Sequence, residues 1–340
     1  MQHTIIKITT KTVIMFALLA VCRCGRANNV SGDVSSTIGE PNTAEISAPA
    51  SASVQTTTQT KLQPDGELQL PDVPSSLREP SERAAYILEH FWDAMEFTDT
   101  LRSHSSEFME QAFSNFISVF PYADEQARRI SVETLMKRAE ADSTSYVLLT
   151  DIAEKYLYDP NSPMLNEEYY ILFLEQIVSS PVLGEYGTVR PRWQLEAARK
   201  NRPGMIAANF AYNTPSGRRT TLNRASSSER MLLIFYDPDC GHCQEILTAL
   251  WEDELLAQMI ADGEMDVLAI YSGEERELWE QTLSHFPDSW KTGYESGKLQ
   301  ENGTYVLRAM PTIYLLDKDK RVVLKDVLAS QLLQMIHYGI

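Results

Sequence analysis

In Met231-Leu232-Leu233-Ile234-Phe235-Tyr236-Asp237-Pro238-Asp239-Cys240-Gly241-His242-Cys243, six apolar residues run into a short polar turn and then into a pair of cysteines. An unbroken apolar run of this length, without alternation, is the pattern of a strand covered on both faces. From Cys240 to about Met259 the period changes to that of a helix, with Ile246, Leu247, Leu250 and Trp251 along one stripe. The cysteines therefore fall in the first turn after a buried strand. Free backbone N–H groups and the positive end of the helix dipole favour a thiolate at Cys240 there. His242 adds positive charge when protonated, a setting that activates cysteine. With two residues between them, Cys243 can resolve a mixed disulfide formed at Cys240. Two other readings compete. A zinc half-site lacks a second cysteine pair or a suitably spaced histidine, and a purely structural disulfide closing so short a loop constrains little chain entropy.

The flanks of this stretch also alternate between strand and helix. Phe210–Tyr212 and Thr220–Leu222 around Thr214-Pro215-Ser216-Gly217 predict a hairpin. Val267–Tyr271 predicts a second buried strand, followed by a helix carrying Leu278, Trp279 and Leu283. Pro311 leads into Thr312–Leu316, which pairs with Arg321–Leu324 across the turn at Asp317–Lys320. A closing helix runs through Leu332, Leu333 and Ile336. Such an order implies an α/β domain, a mixed sheet with helices on both faces, over residues 203–340.

Before Arg202-Pro203-Gly204, over residues 77–202, the pattern is purely helical. Ser81 after Pro80 is read as a helix cap, with Ala84, Ile87, Leu88, Phe91, Trp92 and Met95 inward. Further stripes run through Phe108, Phe113, Phe116, Ile117 and Phe120, through Ala127, Ile130, Leu135 and Met136, and through Val147, Leu148, Ile152 and Tyr156. Asn166 caps a fifth helix with Tyr170, Phe173, Leu174 and Ile177 inward, and Trp193, Leu195 and Ala198 suggest a sixth. Aromatics at three- and four-residue spacing read as core. His90 and His104 stand alone, and no metal site is expected.

The N-terminus has another character. Lys7 and Lys11 precede an apolar run from Val13 to Val21, and no acid appears before Asp33. This is the layout of a secretory signal over residues 1–27; nine apolar residues are too few to span a bilayer, which needs about 20. Leu19-Ala20-Val21-Cys22 resembles a lipoprotein processing site, which would lipidate Cys22, although Val21 stands where such sites carry a small residue. Cleavage after Ala27 is the competing site. Residues 28–76 contain no Phe, Tyr or Trp and are rich in Ser, Thr, Ala, Pro and Gln, the composition of a disordered tether. About 45 such residues reach roughly 35–40 Å. Of four cysteines, Cys22 and Cys24 belong to the signal or its edge, leaving Cys240 and Cys243 for the folded protein. The net charge of -17 argues against nucleic acid, whose phosphates need clustered cations.

From about Pro203 to Ile340 the chain resembles envelope thioredoxin-like proteins of the TlpA and ResA type. The likeness is carried by the strand Leu232–Tyr236, by Cys240–Cys243 opening a helix, and by Met310-Pro311-Thr312 before the next strand. It implies a thioredoxin-like fold and a thiol–disulfide oxidoreductase. It also implies a cis proline at Pro311, with Met310 and Pro311 forming a shelf along which the substrate pairs. Two positions depart from that family. Asp239 replaces the tryptophan usual before the first cysteine, and Ile234 replaces the buried aspartate that usually serves the second. Asp237, Asp239 and Glu245 are the candidate substitutes as proton relay. Gly241-His242 looks like the dipeptide of disulfide isomerases, whose potential is more oxidising than thioredoxin's.

Residues 81–200 resemble an uncharacterised helical domain that precedes thioredoxin-like modules in envelope proteins of certain Gram-negative bacteria. Tyr156–Pro163, Asn166–Tyr170 and Lys200–Gly204 carry that likeness. The combined expectation is an enzyme of the periplasm or cell envelope, exchanging disulfides with envelope proteins and working as a reductase. It needs no cofactor, because its own sulfurs carry two electrons, and the resemblance implies a membrane electron-transfer protein as reductant. The alternatives are an envelope binding or adaptor module on a thioredoxin scaffold, and a thiol peroxidase.

Overall fold

The computed structural model describes residues 66–338. The signal read over 1–27, with Cys22, and most of the tether read over 28–76 lie outside them. The tether reading does not hold to its end. Leu68 is buried in the helical core, so the chain joins that core before Leu77.

Helices fill the first part: α1 Pro80–His90, α2 Ser106–Ser118, α3 Glu125–Ala139, α4 Ser143–Leu157, α5 Glu167–Ser179 and α6 Val189–Ala198. Asp124, Asp142 and Asn166 cap α3, α4 and α5 by accepting the N–H of Ala127, Ser145 and Tyr169, satisfying donors that the first turn leaves open. Ser81 is not a cap. Pro80 sits in the first turn of α1 and Glu79 precedes it without a side-chain bond, because proline is pre-set for the first helical position. Phe91, Phe113, Phe116, Phe120 and Phe173 are fully buried in one core of this part.

Three residues expected inside are outside. Ile130 is 46% exposed, Val147 42% and Trp193 56%. In α4 Ile152 is buried as expected, but Tyr146, Leu149, Ala153 and Leu157 take the inward places instead of Val147, Leu148 and Tyr156. Tyr146-Val147-Leu148-Leu149 supplies apolar groups at every phase, so the neighbouring helices choose which face turns in. In α6 the inward place beside Trp193 goes to Gln194. Its amide accepts from the Tyr170 hydroxyl (3.2 Å) and donates to Glu154 (2.9 Å).

The second part is a seven-stranded mixed sheet of order β2-β1-β5-β4-β3-β6-β7. Its strands are β1 Ala211–Asn213, β2 Arg219–Thr221, β3 Arg230–Tyr236, β4 Met265–Ser272, β5 Lys291–Glu295, β6 Thr312–Asp317 and β7 Val322–Leu324. β3 lies parallel to β4 and antiparallel to β6. One face packs under α7 Gly241–Trp251, α8 Glu254–Ala261, α9 Arg276–Thr282 and α10 Ala329–Tyr338. The other is covered more thinly, by a single-turn helix at Lys298–Glu301 and by Phe210, Leu222 and Tyr305. This is the expected thioredoxin-like fold preceded by a helical region.

Two elements differ from the expectation. The helix expected to run to Met259 breaks at Glu252, and Asp253 starts α8 by accepting the Leu256 N–H at 2.9 Å. An aspartate offers the backbone a local partner that competes with helix continuation. β5 was missed. Its Lys-Thr-Gly-Tyr-Glu sequence has no apolar alternation, and its place is set by pairing with β4 and β1. A Cβ at Gly293 would lie 2.4 Å from the Tyr212 ring and 2.6 Å from Ile270, so only glycine lets these side chains close over the strand.

Both parts belong to one compact unit, and the joint between them is polar. Arg308 contacts Asp326 at 2.6 Å and Glu167 at 3.3 Å, while Lys325 contacts Glu167 at 2.5 Å. These four side chains are 8–14% exposed. Arg308 also donates to the Tyr158 carbonyl at 2.5 Å and lies over its ring, 4.0 Å from the centroid. Burial pushes the Glu167 carboxyl above its ordinary range, against the pull of Lys325. Burial works against charge on Arg308, but Asp326 and Glu167 outweigh it and raise its pKa. Among the described residues no helix is long and apolar enough to cross a membrane. Arg308→Met should leave Asp326 and Glu167 without their shared partner and lower the unfolding free energy by about 3 kcal/mol, as read from urea denaturation.

Candidate active site

β3, held on both sides by β4 and β6, delivers the chain to the end of the sheet. There Asp237 Oδ1 accepts the Asp239 N–H at 2.8 Å, and the Cys240 N–H donates to the Asp237 carbonyl at 3.2 Å. This tight turn aims the chain into α7. Cys240 is the residue that caps α7: its Sγ accepts the Cys243 N–H at 3.2 Å. A sulfur thus occupies the place usually taken by a serine or aspartate oxygen, at the electropositive end of a helix.

The two cysteines have different surroundings. Cys240 is half-buried, whereas Cys243 is fully buried beside Ile234, Tyr236 and Leu247. Burial, with the neighbouring Cys240 sulfur adding to it, pushes the Cys243 thiol up to about 12; the Asp237 backbone N–H acts the other way. Cys243 is therefore a thiol at neutral pH and Cys240 is the accessible sulfur.

The Met310-Pro311 peptide bond is cis. The Cys240 thiol lies 3.8 Å from the Met310 carbonyl oxygen, to which it donates. Seventy positions apart in sequence, the cysteine turn and the segment before β6 meet because β6 pairs directly with β3.

The other expected residues divide. His242 faces solvent at the mouth of the site, 3.7 Å from an equally exposed Glu245; such an exposed pair is weak. Asp239 is exposed. Asp237 is half-buried and is the carboxylate of the three whose charge acts on Cys243. Ile234 is fully buried between Ala269 and Ile313, so its position offers no proton acceptor. Cys22 lies outside the described residues. Among the described residues no group of three or more His, Cys, Asp or Glu side chains is arranged to hold a metal ion.

A cleft of about 180 Å³ opens beside the cysteine turn. His242 and Ile246 form one side and Met310 and Pro311 the floor; Pro160, Asn161 and Leu165 from the helical part form the opposite wall. Sequence reasoning did not include these three residues or Arg308 in the site. The available signal was the turn Tyr158–Pro163 and an arginine two positions before Met310.

A family profile described as a domain of unknown function, DUF5106, matches residues 40–201. No curated protein matches the chain. Among solved structures, a thioredoxin-like protein from Bacteroides caccae is 36% identical with a TM-score of 0.75, the likeness covering 80% of this chain and 99% of that one. A conserved protein of unknown function from Bacteroides fragilis is 38% identical over 40% of this chain and 98% of its own, with a TM-score of 0.38. The thioredoxin domain of a thiol-disulfide oxidoreductase from Bacteroides vulgatus is 16% identical, covering 40% of this chain and 96% of that one, with a TM-score of 0.36. By its identity to the Bacteroides caccae protein over almost the whole of that protein's length, the chain belongs to the thioredoxin-like protein family.

Proposed function

We propose that the protein is a thiol–disulfide oxidoreductase of the cell envelope that reduces disulfides in protein substrates. The observation that carries this reading is the meeting of three features at one point. A half-buried sulfur caps a helix, a buried thiol lies one turn behind it, and the Met310 carbonyl that precedes the cis proline stands 3.8 Å away. The likeness to TlpA- and ResA-type proteins supports the reducing direction. The basic and apolar N-terminal sequence supports export to the periplasm, with lipidation of Cys22 as the means of attachment.

In this mechanism the Cys240 thiolate attacks one sulfur of the substrate disulfide. A Cys240–substrate disulfide forms and the other substrate sulfur leaves as a thiol. Cys243 then loses its proton and attacks Cys240, which releases the second substrate thiol and leaves the Cys240–Cys243 disulfide. Two electrons and two protons pass to the substrate. A dithiol of a membrane electron-transfer protein restores the reduced pair. Met310 and Pro311 hold the substrate backbone, and His242 at the mouth supports the charge at Cys240. Asp237 is the carboxylate best placed to take the Cys243 proton, since Ile234 leaves the usual position without one. Asp239 and Glu245, both in solvent, are weaker candidates for that relay.

The high pKa of Cys243 makes deprotonation the demanding step, and it bears on measurements in a definite direction. A thiol whose folded pKa lies above the ordinary value of about 8.5 stabilises the reduced protein below that pH. The contribution is lost as pH climbs towards the folded value of about 12. Iodoacetamide at pH 8 should therefore label the native reduced protein once, at Cys240, and label Cys243 only after unfolding; peptide mass spectrometry would show it. Two labels on the native protein at that pH would contradict the burial argument.

Replacing the cysteines separates their roles. Cys240→Ser should abolish reduction of a disulfide substrate, whereas Cys243→Ser should accumulate a covalent mixed disulfide visible on a non-reducing gel. Full activity in Cys240→Ser would leave only a binding module on this scaffold. The equilibrium potential of the pair, titrated in a glutathione buffer, is expected near or below thioredoxin's roughly -270 mV. A value near roughly -180 mV would assign the protein to isomerases or oxidants instead.

A further inference from the structure

The cleft beside Cys240 does not end at the helical wall. Pro160 and Arg308, which line it, also line a second hollow of about 570 Å³. Trp193 and Arg308 connect that hollow to a third of about 460 Å³. Shared lining residues set the three hollows side by side along the groove between the helical part and the thioredoxin-like part. At its redox end the space is well below the roughly 300–1,000 Å³ of a pocket built for a small organic ligand. It suits one side chain, with room farther along for the chain that carries it.

Trp193 stands where the second and third hollows meet. Its helix turns Gln194, Leu195 and Ala198 inward and leaves the indole 56% exposed. Tryptophan is over-represented among the few residues that carry most of a binding energy. The groove has no field of one sign to select an ionic ligand, since acids such as Asp151 and Glu196 share its walls with bases such as Lys155 and Arg190. Glu154 and Arg190 already pair, as do Lys155 and Glu110. Its walls are also fixed before any ligand arrives. Arg308 ties the Tyr158 carbonyl and ring to the segment leading to Met310, and Glu167 ties α5 to Lys325. A preformed groove avoids part of the ordering penalty of binding.

We propose that the helical part is a substrate-binding wall, and that an extended polypeptide segment carrying the target disulfide lies in this groove from Met310-Pro311 past Pro160 and Arg308 to Trp193. The inference rests on the redox reading and names its substrate class: disulfides in extended segments, which can enter a groove, in preference to disulfides on a folded surface. Trp193 is a specificity residue that touches the flanking chain and takes no part in sulfur chemistry.

The test follows single-turnover oxidation of the pre-reduced full chain by two disulfides over a range of concentrations. One is oxidised glutathione; the other is a mixed disulfide of glutathione with an unstructured peptide of about a dozen residues. Trp193→Ala should raise the half-saturating concentration of the peptide disulfide about five- to tenfold. The limiting rate should stay the same, as should the rate with oxidised glutathione. Because the indole is exposed, the variant should fold as the parent does. An unchanged peptide response, or equal losses on both disulfides, overturns the groove as the substrate site while leaving the cysteine chemistry standing. A parent protein inert towards both disulfides would bring down the redox reading and this inference with it.

Discussion

The placement of β3 inside the sheet, between β4 and β6, is the constraint from which the rest follows. Flanked by β4 and β6 and buried on both faces, the strand cannot shift register without moving its whole apolar set. Its end therefore presents the Asp237–Cys240 turn at a fixed height, and the same β6 pairing brings the Met310 carbonyl against the Cys240 sulfur. A site made of residues seventy positions apart thus inherits its precision from backbone pairing rather than from contacts between the reacting groups.

Within that frame the two sulfurs are made unequal by solvent access. Cys240 caps a helix at the surface and receives a backbone N–H; Cys243 lies one turn deeper, among apolar side chains that oppose its ionisation. The inequality suits an attacking and a resolving role in the proposed chemistry. It also puts the burden on proton removal from Cys243, since Ile234, buried in the same core, offers no acceptor. In the proposed chemistry Asp237 takes that proton from the turn, where it already holds the Asp239 N–H.

The helical part has its own aromatic core and meets the sheet through charge. Two cations and two anions, nearly enclosed, neutralise one another at the joint. Removing one partner from such a set is costlier than the set is stabilising, because what remains is an uncompensated buried charge. The joint also has directional value. Arg308 lies two positions before Met310, so the contacts that fasten the helices also hold the cis-proline segment beside Cys240.

Much was legible in the chain alone. The unbroken apolar run at 231–236, the change to helical period at Cys240 and the alternation that follows determined a buried strand, a cysteine pair at a helix start and an α/β sheet, because local periodicity reports which faces are covered. The caps at Asn166 and the aromatic stripes of α2 and α5 were equally plain. Local pattern failed where a choice depended on a partner. Tyr146–Leu149 is apolar at every phase, Gln194 displaced Trp193 from the interior by finding hydrogen bonds there, and β5 is a strand only because β4 and β1 pair with it. The meeting of Met310 with Cys240 came from a family likeness; the groove walled by Pro160 and Leu165, and the ion quartet around Arg308, were invisible. These join residues from 18 to 150 positions apart, and only tertiary packing, which decides which buried charges find counter-charges and which faces stay open, brings them together.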